Sequence, residues 1–221
     1  MNNVVRLFYG SESIVEKPIF NFGNPSNDYG KGFYLTPDYD KAVLWASKHP
    51  RGGYVYTYDV DFTDLSVLRL ASTRELDTLR WITLLVKHRF SYEQRFAYQN
   101  EINWLTRHFD VNLNNFDIVE GYRADDSYFV YSREFVAGNI SINVLQKAML
   151  TGKLGKQIVL ISKKAFDHIT TIDYKKVDPS QDYESFKAQA DKEYHRLAKE
   201  QTIHERRLID IMREYEDGHH E

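Results

Sequence analysis

The 221-residue sequence contains no cysteine. That excludes a disulfide framework, a thiolate nucleophile and any cysteine metal site. No apolar run reaches the length of a membrane span, and the opening MNNVVRLFYG lacks the basic-then-apolar build of a signal peptide. A cytoplasmic protein with no membrane association is therefore expected. A broad basic field is missing too: the net charge is −3, so nonspecific nucleic-acid binding is not a default function, although a local basic groove stays open. The eight histidines show no HxxxH or HxH spacing with carboxylates, and no metal is expected. There is no Walker loop and no Rossmann glycine fingerprint, and neither Ser11 nor Ser127 has a histidine at a triad spacing.

What is present is an ordinary globular balance, 42% hydrophobic and 28% charged, with a high aromatic share of 14% that includes 16 tyrosines. Short β-type runs are VVRLFYGS, GFYLT, the alternating YVYTYDVDF, SVLRL, FDIVEGY and the apolar KQIVLIS. Helical periodicity runs over residues 73–90, with Thr73 as expected N-cap, then over SYEQRFAYQNEINWLTRHF and SINVLQKAML. This order has no repeating βαβ unit, so a mixed α+β domain with mostly antiparallel strands is expected over residues 1–174. Residues 175–182 read as a linker, and 183–217 as one long C-terminal helix. Its apolar residues at 183, 186, 190, 194, 197, 208, 211 and 215 make a narrow seam, weakened in the middle by Gln201 and His204. Such a stripe must lie on something: its own domain, a partner, or a second copy in a homo-oligomer.

One stretch, YGKGFYLTPDYDKAVLWA at residues 29–46, brings Tyr34, Tyr39 and Trp45 close together around a glycine turn. It follows LFYGS at residues 7–11, and Trp45 lies eleven residues beyond Tyr34. Together with ADDSYF and GKLGKQ further on, these phrases resemble the ADP-ribosyltransferase fold, closest to its poly(ADP-ribose) polymerase and diphtheria-toxin branch. They also resemble a bacterial family of unknown-function proteins in that clan, often found in toxin–antitoxin operons. The resemblance covers residues 5 to about 170. It implies a split antiparallel β-sandwich with flanking helices, and NAD as substrate. Nicotinamide is a flat, electron-poor ring with a carboxamide, which two aromatic faces can sandwich and a backbone N–H and C=O can read. By resemblance Tyr34 and Trp45 are the sandwich, Gly10 the backbone reader and Ser11 an added hydroxyl. Gly30 and Gly32 let the chain turn beside the ligand, and Tyr39 is left to ordinary packing.

Two positions depart from that pattern. The family's histidine before Gly10 is Tyr9, whose hydroxyl sits farther from the backbone than the ribose contact requires. The late-strand glutamate is Gln157, which can keep hydrogen bonds but loses the charge that would face an oxocarbenium ion. A substitute acid is offered by Asp125 or Asp126, in a polar loop where Arg123 suits a diphosphate. The same loop also reads as an aspartate-rich turn with Arg123 paired to one of them. The function implied is mono-ADP-ribosyl transfer to a protein or nucleic-acid acceptor by a toxin-like effector, restrained by an antitoxin. A catalytically silent NAD-, nucleotide- or partner-binding relative and an NAD glycohydrolase are the alternatives.

Overall fold

A computed structural model of the chain describes residues 3–15, 17–124, 129–151, 155–202 and 204–218. The first elements are strands β1 (Val4–Ser11) and β2 (Phe33–Leu35), helix α1 (Tyr39–Ser47), then β3 (Gly53–Asp61) and β4 (Val67–Arg69). Helices α2 (Glu75–His88), α3 (Tyr92–Ala97) and α4 (Gln99–Phe109) follow, before β5 (Ile118–Tyr122). Next come α5 (Phe129–Val136), α6 (Ile142–Thr151), β6 (Lys156–Leu160), α7 (Lys163–Asp167) and β7 (Ile169–Val177). The chain closes with α8 (Asp182–Glu200) and α9 (Leu208–Glu216). The class is α+β, as the element order predicts. No helix among the described residues is long and apolar enough to cross a membrane.

The chain divides into two compact units, where the sequence suggests one domain with a tail. The first takes Met1–Ala71, Asn112–Arg123 and Gly155–Ala188; the second takes Ser72–Val111, Ala124–Leu154 and Gln189–Glu221.

The first unit holds two sheets, ordered β1-β3-β7 and β2-β6-β5-β4. All their pairings are antiparallel except β4 with β5. The alternation of β3 places Tyr56, Tyr58 and Val60 in a core with Leu7, Leu35, Ile118 and Leu160, while Val55 is buried with Ala42 and Ala46 of α1. Helix α1 starts where the sequence permits a cap: the Asp38 carboxylate accepts from the N–H groups of Asp40 and Lys41. Strand β7, with the sequence ITTIDYKKV, is absent from the sequence reading, and its position explains why. It lies on the edge of its sheet, exposed along residues 170–176, so no apolar alternation marks it. Residues Lys175–Val177, expected in a linker, pair with β3 instead.

The second unit is helical. Helix α2 buries Leu79, Trp81, Ile82, Leu84, Leu85 and Val86. Its N-cap is Arg74 and not Thr73, with no side-chain cap bond. The expected single helix from Ser91 is two, since a Ser91–Gln94 capping box opens α3 and the chain leaves helical geometry at Tyr98. The long C-terminal helix is likewise broken. At the weak point of the seam the Gln201 side chain accepts from the Ser141 N–H and donates to the Asn139 carbonyl, and α9 restarts at Leu208. Within the second unit Leu197, Leu208 and Ile211 are buried, Tyr194 meets the Tyr131 ring, and Tyr215 meets Trp104 and Phe109.

Candidate functional site

Strand β1 fixes the first part. Phe8 exchanges both backbone bonds with Thr36, at 2.8 and 2.9 Å. Peptide groups two residues apart in a strand face the same side, so Gly10 turns its N–H and C=O the way Phe8 does, beyond the point where the chain leaves β2 for α1. A Cβ on Gly10 would stand 2.3 Å from the Ala42 carbonyl oxygen and 2.9 Å from the Ala46 nitrogen. The glycine is thus demanded by α1, whose close approach also carries Trp45. Ser11 ends the strand, its hydroxyl accepting from the Ser13 N–H. Tyr9 packs its ring 4.7 Å from Phe33. Burial pushes its hydroxyl above the ordinary tyrosine range, with a bond to Ser11 opposing.

The Tyr34 hydroxyl accepts from the Tyr29 N–H at 3.0 Å and donates to the Gly30 carbonyl at 2.7 Å. Both bonds close the glycine turn, in which Gly30 has φ +73°, and the Tyr34 ring stays half-buried. The need for glycine at Gly32 has a different source from the one expected: a Cβ there would meet Val159 Cγ1 at 2.6 Å, so the glycine lets the loop pass against β6.

Gln157 lies opposite Gly121 in the β5–β6 register and is 5% exposed. Its amide donates to Asp28 Oδ2 at 2.9 Å and to the Tyr122 carbonyl at 3.3 Å. The Tyr29 hydroxyl donates to the same carbonyl at 2.9 Å. Gly121 makes this possible, since a Cβ there would lie 1.8 Å from the Tyr29 hydroxyl oxygen. Asp28 is itself buried, 6% exposed. Sequence reasoning missed it: an aspartate ahead of Tyr-Gly-Lys-Gly looks like any turn residue, and its partner is 129 positions away.

Trp45 is half-buried. The Arg123 guanidinium carbon lies 4.0 Å from its ring centroid, and Lys48 Nζ lies 3.2 Å from it. The Tyr183 ring meets it edge-on at 6.0 Å. Helix α8 therefore contributes a neighbour to the site, although every residue expected there precedes position 160. Tyr39 packs edge-on against Phe8, as its place outside the scheme suggested. Asp125 and Asp126 lie outside the described residues.

A continuous line of contacts results: Trp45 to Arg123, whose chain neighbour Tyr122 is held by Gln157 and Tyr29, and from Tyr29 to Tyr34. Gly10 joins through α1. Five expected site residues thus share one neighbourhood inside the first unit, while Tyr9 and Ser11 turn to each other and to the sheet. A cavity of about 360 Å³ in the second unit, among Glu75, Gln146, Glu205 and Arg206, contains none of them. Among the described residues no group of three or more His, Asp or Glu side chains could hold a metal ion.

No curated protein and no solved structure matches the chain. A family model does, over residues 5–171: the chain belongs to a family of proteins of unknown function, DUF3990.

Proposed function

Taking the chain as a member of that family, we propose that its first unit is an NAD-dependent mono-ADP-ribosyltransferase with the split antiparallel β-sandwich of that fold. The observation that carries the reading is the contact line joining Trp45, Arg123, Gln157 and Tyr34, with the buried Gly10 close under α1, the helix that carries Trp45. Nicotinamide lies between the Tyr34 and Trp45 rings, and Gly10 reads its carboxamide. Arg123 gives up its place on Trp45 and turns its fork of donors to the diphosphate. Leaving an exposed aromatic face costs about 0.5–1 kcal/mol, which a charge-assisted bond to phosphate offsets. The bond from C1′ to the nicotinamide nitrogen then breaks with its electron pair on the ring, and neutral nicotinamide leaves. A lone pair of the acceptor closes on C1′, and the acceptor's proton passes to water. The acceptor is a macromolecule, and a toxin-like role under antitoxin control is the setting.

A silent binder is the second reading. It is favoured by one observation: Gln157 is neutral, and its amide hydrogens point to Asp28 and Tyr122. Incubating the pure protein with labelled NAD and cell lysate separates the readings. Label on protein or nucleic acid supports the transferase. Free ADP-ribose means a glycohydrolase, and unchanged NAD means a binder.

A further inference from the structure

The first sheet ends in an open edge, and the pairing pattern shows which peptide groups of β7 point out from it. Phe8 bonds to Thr36, away from β3, so the β3 residues that turn to β1 are Tyr54, Tyr56, Tyr58 and Val60. Their alternates turn to β7, in agreement with the Asp61 N–H bonded to the His168 carbonyl at 3.0 Å. Asp173, Lys175 and Val177 pair with Thr57, Val55 and Gly53, and so face β3. Tyr174 and Lys176 therefore direct their N–H and C=O groups outward, from a strand exposed along residues 170–176. An exposed row of this kind is a template for a further strand. Its side chains are suited to one, since Ile172 and Tyr174 are half-exposed and the Tyr174 ring stacks on Tyr56.

Three features oppose that use. The register shifts between Thr57 and Tyr58, where Ile172 is the extra residue, so the edge is bent at that point. Lys175 and Lys176 put two charges on the exposed run. The most direct feature is Asp173, whose carboxylate accepts from the outward Tyr174 N–H at 2.7 Å. We propose that Asp173 closes the β7 edge to strand addition, and that the strand it turns away is β7 of a second copy of this chain. Every copy carries the same edge. Antiparallel pairing about Tyr174 would exchange the N–H and C=O groups of the two Tyr174 residues and bring their half-exposed rings together. That pairing requires a free Tyr174 N–H, and Asp173 holds it. A carboxylate forms a stronger bond than a peptide carbonyl, and one on the adjacent residue is always within reach. Neither residue belongs to the nicotinamide slot, so the edge is closed whether or not the chain turns over NAD.

The test uses the full chain and reads mass by sedimentation equilibrium. Asp173→Val removes the acceptor and installs a good strand former, and should shift the mass upward by at least a doubling. Asp173→Asn retains a side-chain oxygen acceptor and should keep the wild-type mass. Adding Tyr174→Pro to Asp173→Val deletes the outward N–H, which an edge strand tolerates, and should return the mass to the wild-type value. An Asp173→Val protein of wild-type mass overturns the proposal. Association that survives the proline runs through another surface and overturns it too. Tyr174→Pro alone should not change the mass; a fall would show that the wild-type edge is already paired. Should Asp173→Val fail to fold, amide exchange in the wild type decides. The Tyr174 amide should exchange more slowly than that of Lys176, which points the same way, and equal rates count against Asp173 as the guard.

Discussion

Trp45 and Gln157 both lie on one line of contacts, one toward its α1 end and the other in its buried part, and are held there by different physics. Trp45 is half-buried on a helix and is touched by two cations, Lys48 and Arg123, and by the edge of Tyr183. Gln157 is 5% exposed on a strand between two others, and its amide is committed to a carboxylate and a carbonyl. Long flexible cations on a partly exposed ring exchange places cheaply. Hydrogen bonds in a buried network do not, because a broken one leaves a desolvated group behind. The tryptophan end can therefore adapt to an incoming ring, while the glutamine end is fixed before any ligand arrives.

The largest effect that should separate the two ends comes from Gly121→Ala. The new methyl group occupies the position of the Tyr29 hydroxyl, and Tyr29 is 1% exposed with no free space to yield into. Overpacking of this kind costs about 1–3 kcal/mol, so chemical denaturation should show a clear loss, together with loss of any NAD turnover. A variant as stable as wild type would mean that the glutamine end is soft and the contrast unfounded.

Changes at Gln157 come next. Gln157→Ala removes a bond to a charged acceptor, worth about 1.5–3 kcal/mol, and should abolish turnover. Gln157→Glu is instructive because it adds the charge that the family resemblance asks for. In this structure the new carboxylate would sit about where an amide now lies 2.9 Å from Asp28. Two carboxylates that close disfavour each other's charge, so the substitution strains this buried network instead of simply adding an anion. The expected result is no gain in turnover and a lower denaturation midpoint; a rise in turnover would show that position 157 accepts an anion.

At the adaptable end, Trp45→Ala should leave the denaturation midpoint nearly unchanged. It should weaken NAD binding by about 0.5–1.5 kcal/mol of ring stacking plus the buried area. Calorimetry on the variant checks this, and unaltered affinity would remove the ring slot.

The smallest effect serves as a control on the same sheet. Asp117, just before β5, accepts from the Ser66 N–H and hydroxyl and from the Ser162 hydroxyl. Burial tends to raise its carboxyl, but the Ser162 and Ser66 bonds outweigh that and hold it below the usual aspartate range. A group depressed in the folded state contributes its stability above the unfolded value of about 3.9 and loses it as pH falls through the folded one. Asp117→Asn should flatten the acid limb of stability and leave NAD turnover alone, unlike the changes at Gln157. A variant that keeps the wild-type acid limb would deny Asp117 that role.

The sequence by itself determined the elements whose pattern is local. Alternation in YVYTYDV gave β3 with a core face, and the eleven-residue step from Tyr34 to Trp45 carried the family resemblance. Gly10 was marked as special, though the structure adds that α1 makes it so. Strand β7 was missed because an edge strand needs no apolar face, and the tail looked continuous because a seam does not reveal where a side chain such as Gln201 will be drawn away. Only the tertiary structure decided that Gln157 faces Asp28, that Gly121 admits Tyr29, and that Tyr183 borders Trp45. These pairs join residues far apart in the chain. Sequence periodicity reports which face of an element is buried, but the partner across a buried face is fixed by how sheets and loops come together, and hydrogen-bond chemistry follows from that meeting.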